Sequence, residues 1–289
     1  MSLLSPDSLL LYLAPDKVQA VQLHGWRNRI AGLHQLPVNA ESPDDWSALL
    51  EATLRLVKAH APQSVRIVLS DHLVRYFCVP WRGELRNATE ELAFARLSFE
   101  DTYGVGSGAG WRMILSNETP GLTRLTAAVP DGLIAGLQEA FHKAKVKLTS
   151  VRPQLVSAVQ AFSKSLPSTG WIMSHEATRL SIAGWDSGGW RWVSSSRIAN
   201  HAPNQLVARL QQELMLAGAW PAVGIAPIQG FVCAPTLAAQ NWPTVDGLHL
   251  TTWKSPADML ARIQQTSAGL GMTEAKLTEF GHALVGVLS

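Results

Sequence analysis

Histidine, cysteine and carboxylate side chains are the first places to look for chemistry, and the chain carries nine histidines, two cysteines and 22 acidic residues among 289. Their spacing withholds the usual sites. No His-Glu-x-x-His string occurs, no histidine stands beside a cysteine pair at zinc spacing, and no Gly-x-Ser-x-Gly elbow presents an activated serine. Cys78 and Cys233 each lie in an apolar stretch and read as small buried hydrophobes, which fits a reducing compartment. His175-Glu176 is the most suggestive acid–base pair, but without a third partner it reads as an exposed turn between strands. Gly104, Gly106, Gly108 and Gly110 alternate in a segment that follows a helix and precedes a strand. A phosphate-cradling loop has the opposite order, so this one reads as a flexible loop after a helix C-cap.

Tryptophan is the other residue type in unusual supply, at 11 against three tyrosines. Trp185, Trp190 and Trp192 cluster around one hairpin. Trp190 and Trp192 are two apart, so on a regular strand they share a face and could form an exposed platform for a partner; a place in the core is the equal alternative. Trp26, Trp81, Trp111 and Trp171 sit at strand ends, where a core role is expected.

At 47% hydrophobic and 16% charged, the composition is that of an ordered globular protein long enough for two lobes. The formal charge of +2 gives no field for nucleic acid or anionic lipid, and the Arg27-Asn28-Arg29 cluster reads as a solvated strand end. The apolar run near the N-terminus is broken by Ser5, Pro6, Asp7 and Ser8, a poor signal peptide, and no stretch approaches the roughly 18 apolar residues of a membrane span. A soluble, cytoplasmic protein is expected.

The elements that must position these residues alternate between strands and helices. Leu9 to Ala14 and Val18 to Leu23 are strand-length runs joined by Pro15-Asp16-Lys17, a turn in which proline fixes φ. Asp44-Asp45 precedes an amphipathic helix carrying Trp46, Leu49, Leu50, Leu54 and Val57, and Val65 to Leu69 is a further strand. Leu133, Ile134, Leu137, Phe141 and Ala144 form one helical stripe, and Leu155, Ala158, Val159 and Phe162 another. After Leu166-Pro167-Ser168-Thr169-Gly170 the chain restarts with Trp171 to Ser174, Arg179 to Trp185 and Trp190 to Arg197, the last two closed by Asp186-Ser187-Gly188-Gly189. Two successive units, strand-rich and then helix-rich, suggest a duplicated α/β architecture.

In that order, and in the string Val18-Gln19-Ala20-Val21-Gln22-Leu23, the chain resembles the actin-like ATPase superfamily, in particular the PilM and GspL-like proteins of type IV pilus and type II secretion assembly. Leu125 to Pro130, Leu148 to Pro153 and the closing segment Leu277 to Leu288 match in sequence order. The resemblance implies an α/β actin-like ATPase fold, with two ribonuclease-H-like lobes and a small α+β subdomain inserted in the first. The implied bounds are lobe I at residues 1–166 with the insert at about 81–152, lobe II at 167–272, and a closing helix at 273–289 returning to lobe I. It also implies a non-enzymatic scaffold at the inner face of the inner membrane, binding the PilN-like cytoplasmic tail of an inner-membrane partner and peripheral to the membrane only through it.

Where relatives with an intact site bind nucleotide, this sequence departs from the pattern. Tyr12 takes the place of the aspartate of the first phosphate motif and Ala14 that of its glycine. Pairing the threonine of the second motif with Thr178 puts Ile172 at its aspartate and Ser174 at its glycine, and Cys233-Ala234-Pro235 replaces the adenosine-packing glycine turn. Magnesium needs carboxylate oxygens, and glycine lets backbone N–H groups approach phosphate closely. Three losses imply a pseudo-ATPase with no cofactor. Asp16, Lys17 and Thr178 remain at the mouth of the cleft as candidate nucleotide or phosphate contacts, against the plainer readings of turn chemistry and an ordinary strand threonine. The alternative is an active actin-like or sugar-kinase-like ATPase that binds magnesium and ATP.

Overall fold

The computed structural model describes residues 7–25, 29–39, 42, 45–199, 201–219, 228–237, 240–252 and 273–288. Residues 253–272 of the expected second lobe, together with Trp26, Arg27, Asn28 and Asp44, lie outside them.

The first sheet is built on β1 (Ser8–Ala14), which pairs antiparallel with β2 (Lys17–His24) around the Pro15-Asp16 turn and parallel with β4 (Ser64–Leu69). With β3 (Arg29–Pro37) and β8 (Lys147–Pro153) the order is β3-β2-β1-β4-β8. β1 is apolar almost throughout because both its faces are covered. Leu10 and Tyr12 face the last helix, α7 (Gly281–Leu288), where Gly286 lies against Leu10 and Val68 and His282 stacks on Tyr12. Leu9, Leu11 and Leu13 alternate to the other face, which α1 (Ser47–His60) covers. α3 (Asp131–Ala144) packs on α1, with its apolar stripe of Leu133, Ile134, Leu137 and Phe141 buried, and α4 (Gln154–Phe162) packs on α7.

The second sheet repeats this plan. β9 (Gly170–Glu176) pairs antiparallel with β10 (Arg179–Asp186) and parallel with β12 (Ile228–Cys233), and β11 (Gly189–Arg197) and β13 (Leu248–Thr252) complete the order β11-β10-β9-β12-β13. α5 (Pro203–Leu216) covers it with Leu206, Leu210 and Leu214. The two five-stranded sheets therefore share one strand order and one pattern of directions.

A third sheet, β5 (Arg75–Val79), β7 (Arg124–Pro130) and β6 (Trp111–Leu115) in the order β5-β7-β6, packs against α2 (Ala88–Tyr103) around Phe77, Phe99 and Met113. This insert begins at Arg75, ahead of residue 81, because β5 pairs with β7. It ends at Pro130 rather than 152: α3 packs on α1, and β8 pairs parallel with β4 at the edge of the first sheet. The short α6 (Glu274–Glu279) precedes α7, whose Ala283, Leu284 and Val285 join the core of the first lobe.

Trp171 is 1% exposed and central in the second sheet, whereas Trp81, expected in the core, is 45% exposed. The Trp190–Trp192 platform is not formed. A bulge lets Trp185 pair with Trp190 and Gly184 with Trp192, so Arg191 is an extra residue and the two indoles leave the sheet on opposite faces. Trp190 packs with Trp185, ring centroids 5.6 Å apart, while Trp192 lies over Gly184, where a Cβ would come within 2.3 Å of its ring nitrogen.

Candidate functional site

The turns β1–β2 and β9–β10 face each other across a cavity of about 630 Å³ between the lobes. Asp16, Lys17 and Thr178 all line it, together with Tyr12, Ser70, four histidines (His72, His175, His201 and His282) and Glu279. The hairpins closing at Ala14–Lys17 and Glu176–Arg179 make Asp16 and Thr178 structural counterparts. By the same register Ser174 is the counterpart of Tyr12, and Glu176 that of Ala14, two residues on from the sequence-based placement at Ile172 and Ser174. The strand runs through to Glu176 before it turns, which the threonine-anchored count misses.

His175 and Glu176, expected in an exposed turn, are 2% and 1% exposed. Glu176 is covered by the other lobe, whereas His175 packs on His201 of its own lobe. Ser70 and Asp71, following β4, meet Glu176: the Ser70 hydroxyl donates to Glu176 Oε2 at 2.5 Å and the Asp71 N–H donates to the same oxygen at 2.9 Å. Asp71, itself 0% exposed, accepts through Oδ1 from the Tyr76 hydroxyl at 2.5 Å and from the Leu155 N–H at 3.0 Å, in the first turn of α4. Burial pushes both carboxyls above their usual range; Glu176 is raised further by the charge of Asp71. Sequence reading missed Asp71 because Leu69-Ser70-Asp71-His72 has the composition of a plain strand-ending turn.

The histidines respond to the same burial. His175 Nε2 and His201 Nδ1 lie 3.1 Å apart, and burial followed by the charge of His201 brings His175 down to about 4. His282, stacked on Tyr12 with Nδ1 3.4 Å from Gln154 Nε2, is brought down to about 3 by burial first and then by neighbouring cations. A histidine held neutral in the fold but free to charge in the open chain supports stability above its unfolded pKa of about 6.5, and that support is lost as pH falls toward the folded value. The wild type is therefore expected to lose up to about 1.4 kcal/mol per pH unit below 6.5 relative to His282→Asn. Urea midpoints measured at pH 7 and pH 5 check this; parallel losses in the two proteins would contradict it.

Magnesium-bound triphosphate does not fit the residues present. Tyr12 fills the carboxylate position with a phenol, Ala14 and Glu176 carry side chains where backbone would have to approach phosphate, and the carboxyl of Glu176 is engaged by Ser70 and the Asp71 N–H while that of Asp71 is engaged by Tyr76 and Leu155. Among the described residues no cluster of three or more histidine, cysteine or acidic side chains could hold a metal ion.

A second concavity of about 490 Å³ lies on the far side of α4, lined by Ile114 and Leu115 of β6, Ala127 and Val129 of β7, Ile134 of α3, and Val156 and Val159 of α4. Trp190 also lines it, donating from Nε1 to Glu118 at 3.0 Å. Trp190 is fixed there by the docked tip of the β10–β11 hairpin: Thr123 N–H donates to the Gly188 carbonyl and Trp190 N–H to the Thr123 carbonyl, each at 3.1 Å. Gly189, at φ 94°, is required there, since a Cβ would sit 2.6 Å from the Thr123 carbonyl. Of the three candidate interface tryptophans, the structure brings only Trp190 to this groove; Trp185 packs inward against Phe231, and both Trp185 and Trp192 border a smaller hollow of about 200 Å³.

Two sheets of one strand order, an insert between β4 and β8, and a cleft between matched hairpins define the architecture, and solved structures share it. The chain aligns with the PilM-PilN type IV pilus biogenesis complex at TM-score 0.58 and 13% identity, covering 97% of this chain and 96% of that one. A Bacteroides thetaiotaomicron protein described as having an actin-like ATPase fold aligns at TM-score 0.54 and 10% identity, covering 97% and 95%. The chain has the actin-like ATPase fold. The cytoplasmic domain of EpsL, an inner-membrane component of the type II secretion system of Vibrio cholerae, shares that fold at TM-score 0.54 and 11% identity, covering 92% and 98%. No protein-family model and no curated protein matches the sequence. No helix among the described residues is long and apolar enough to cross a membrane.

Proposed function

We propose that this actin-like fold serves as a non-enzymatic cytoplasmic scaffold of a pilus- or type II secretion-like machine, with the groove beside α4 holding the short cytoplasmic tail of an inner-membrane protein. The groove carries this reading. It is largely apolar and lined also by Arg112, Glu118, Gln138 and Arg152, a makeup that suits a peptide site in which apolar side chains give affinity and polar groups set orientation. β6 is an edge strand of its sheet, so an extended tail could add main-chain hydrogen bonds beside the groove. Likeness to PilM-PilN and EpsL, proteins of such machines, supports the choice of partner. The ill fit of the cleft to magnesium nucleotide supports a binding role over catalysis.

Ile114 tests the proposal because it lines the groove while 59% exposed, so a charge there leaves the core intact. Ile114→Asp is expected to weaken a synthetic tail peptide from the partner at least tenfold by fluorescence anisotropy, the cost of about 1.4 kcal/mol or more for setting a carboxylate against an apolar ligand. Equal affinity of variant and wild type would remove the groove from the argument. Magnesium-dependent ATP binding or turnover by the wild type would instead favour an ATPase.

A further inference from the structure

Ser70, Asp71 and Glu176 form the direct polar contact between the lobes behind the cleft, and its composition is unusual. Two carboxyl groups, 0% and 1% exposed, share the site, yet among the described residues no lysine or arginine pairs with either. Each has one satisfied oxygen: Asp71 Oδ1 through Tyr76 and Leu155, Glu176 Oε2 through Ser70 and the Asp71 N–H. Asp71 Oδ2 and Glu176 Oε1 are buried with no hydrogen-bond partner within 3.5 Å, and the hydroxyls of Ser174 and Ser181 near Asp71 and of Tyr12 near Glu176 only partly offset the burial that raises both carboxyls. Among the described residues no cation pairs with either carboxyl, although Arg179, the cross-strand partner of Glu176, and Arg197 act on neighbouring His72. Tyr12 of β1 and Tyr76 of β5 contribute hydroxyls, Ser174 of β9 and Ser181 of β10 stand near Asp71, Cys233 of β12 is a buried thiol, and His72 lies one residue on from Asp71. Two bare carboxylates in such a place repel each other and cost heavily in desolvation; one proton removes a charge and supplies the missing donor.

We propose that Asp71 and Glu176 form a latch, with one proton kept on the pair, that keeps the lobes closed. Losing that proton leaves like charges on opposite lobes, and the cleft loosens. Because Asp71 also accepts from the first turn of α4, the latch ties the lobe contact to the helix that walls the groove.

A carboxyl that keeps its proton longer in the fold than in the open chain makes the fold the better proton binder, so stability falls as pH rises from the ordinary carboxyl range toward the raised folded value. In Glu176→Gln the carbonyl still accepts from Ser70 and Asp71 while the amide supplies a permanent donor. Across pH 5 to 9 the wild-type Tm is expected to fall relative to that variant by roughly 2–4 °C per pH unit while the latch titrates. Its radius of gyration by solution X-ray scattering should rise over the same range, with the variant flat in both. The infrared carbonyl band of a protonated carboxyl should persist in the wild type above the ordinary carboxyl range and shrink in Glu176→Gln and Asp71→Asn. Parallel melting profiles, or no such band in the wild type, would overturn the latch, and the band decides even if a variant fails to fold. A magnesium- or manganese-dependent rise in wild-type Tm at pH 9, abolished in Asp71→Asn, would equally overturn it by making the pair a cation site.

Discussion

Trp171→Ala is expected to cost about 3–5 kcal/mol of stability, the range for emptying a large aromatic from a packed core. Trp171 is 1% exposed at the centre of the second sheet and sits with Met173, Leu180, Ile182 and the α5 leucines. The neighbouring strand is shaped to it. A Cβ at Gly230 would fall 1.9 Å from the Trp171 ring, so the glycine of β12 is the space the indole occupies. Gly230→Ala should therefore destabilise as well, by about 1–3 kcal/mol through overpacking. Combined, the two changes should be less damaging than their sum, since the new methyl enters the space the indole has left. Urea unfolding followed by circular dichroism gives all three values; simple additivity would mean that the two residues do not share that space.

Local patterns in this chain were legible wherever a single element sets them. Pro15-Asp16 and Asp186-Ser187-Gly188-Gly189 announce the two hairpins, and the Leu133-Ile134-Leu137-Phe141 stripe announces α3, because turn geometry and helical period are properties of neighbouring residues. Tyr12, Asp16, Lys17 and Thr178, singled out from the sequence, do gather at one cavity. What the sequence hid is long-range. Glu176 reads as a turn residue until Ser70 and Asp71, more than 100 positions away, close over it. Trp190 and Trp192 read as one face because alternation assumes a regular strand, and a one-residue bulge reverses the outcome. The insert was placed late for a related reason: Arg75–Val79 looks like a continuation of the first lobe, and only its pairing with β7 assigns it to the third sheet. Neither the groove nor the latch could be read from a string, since each is made of segments from both lobes.

Among the described residues Asp71→Ala should be the most damaging polar substitution, costing about 2–6 kcal/mol. The Tyr76 hydroxyl and the Leu155 N–H both end on Asp71 Oδ1 in a buried site, and removing that oxygen leaves two donors unpaired at about 1–3 kcal/mol each. Asp71→Asn keeps a carbonyl oxygen for the same two donors and also removes one member of the carboxyl pair, so it should lose far less, about 1 kcal/mol or under. The contrast separates hydrogen-bond acceptance from charge. A double-mutant cycle with Tyr76→Phe sharpens it: deleting the hydroxyl should be costly in the wild type and nearly neutral in Asp71→Ala, giving a coupling of about 1–2 kcal/mol. Equal losses for alanine and asparagine would show that Asp71 acts through its charge rather than as the shared acceptor, and the joint between β4, β5 and α4 would then need another explanation.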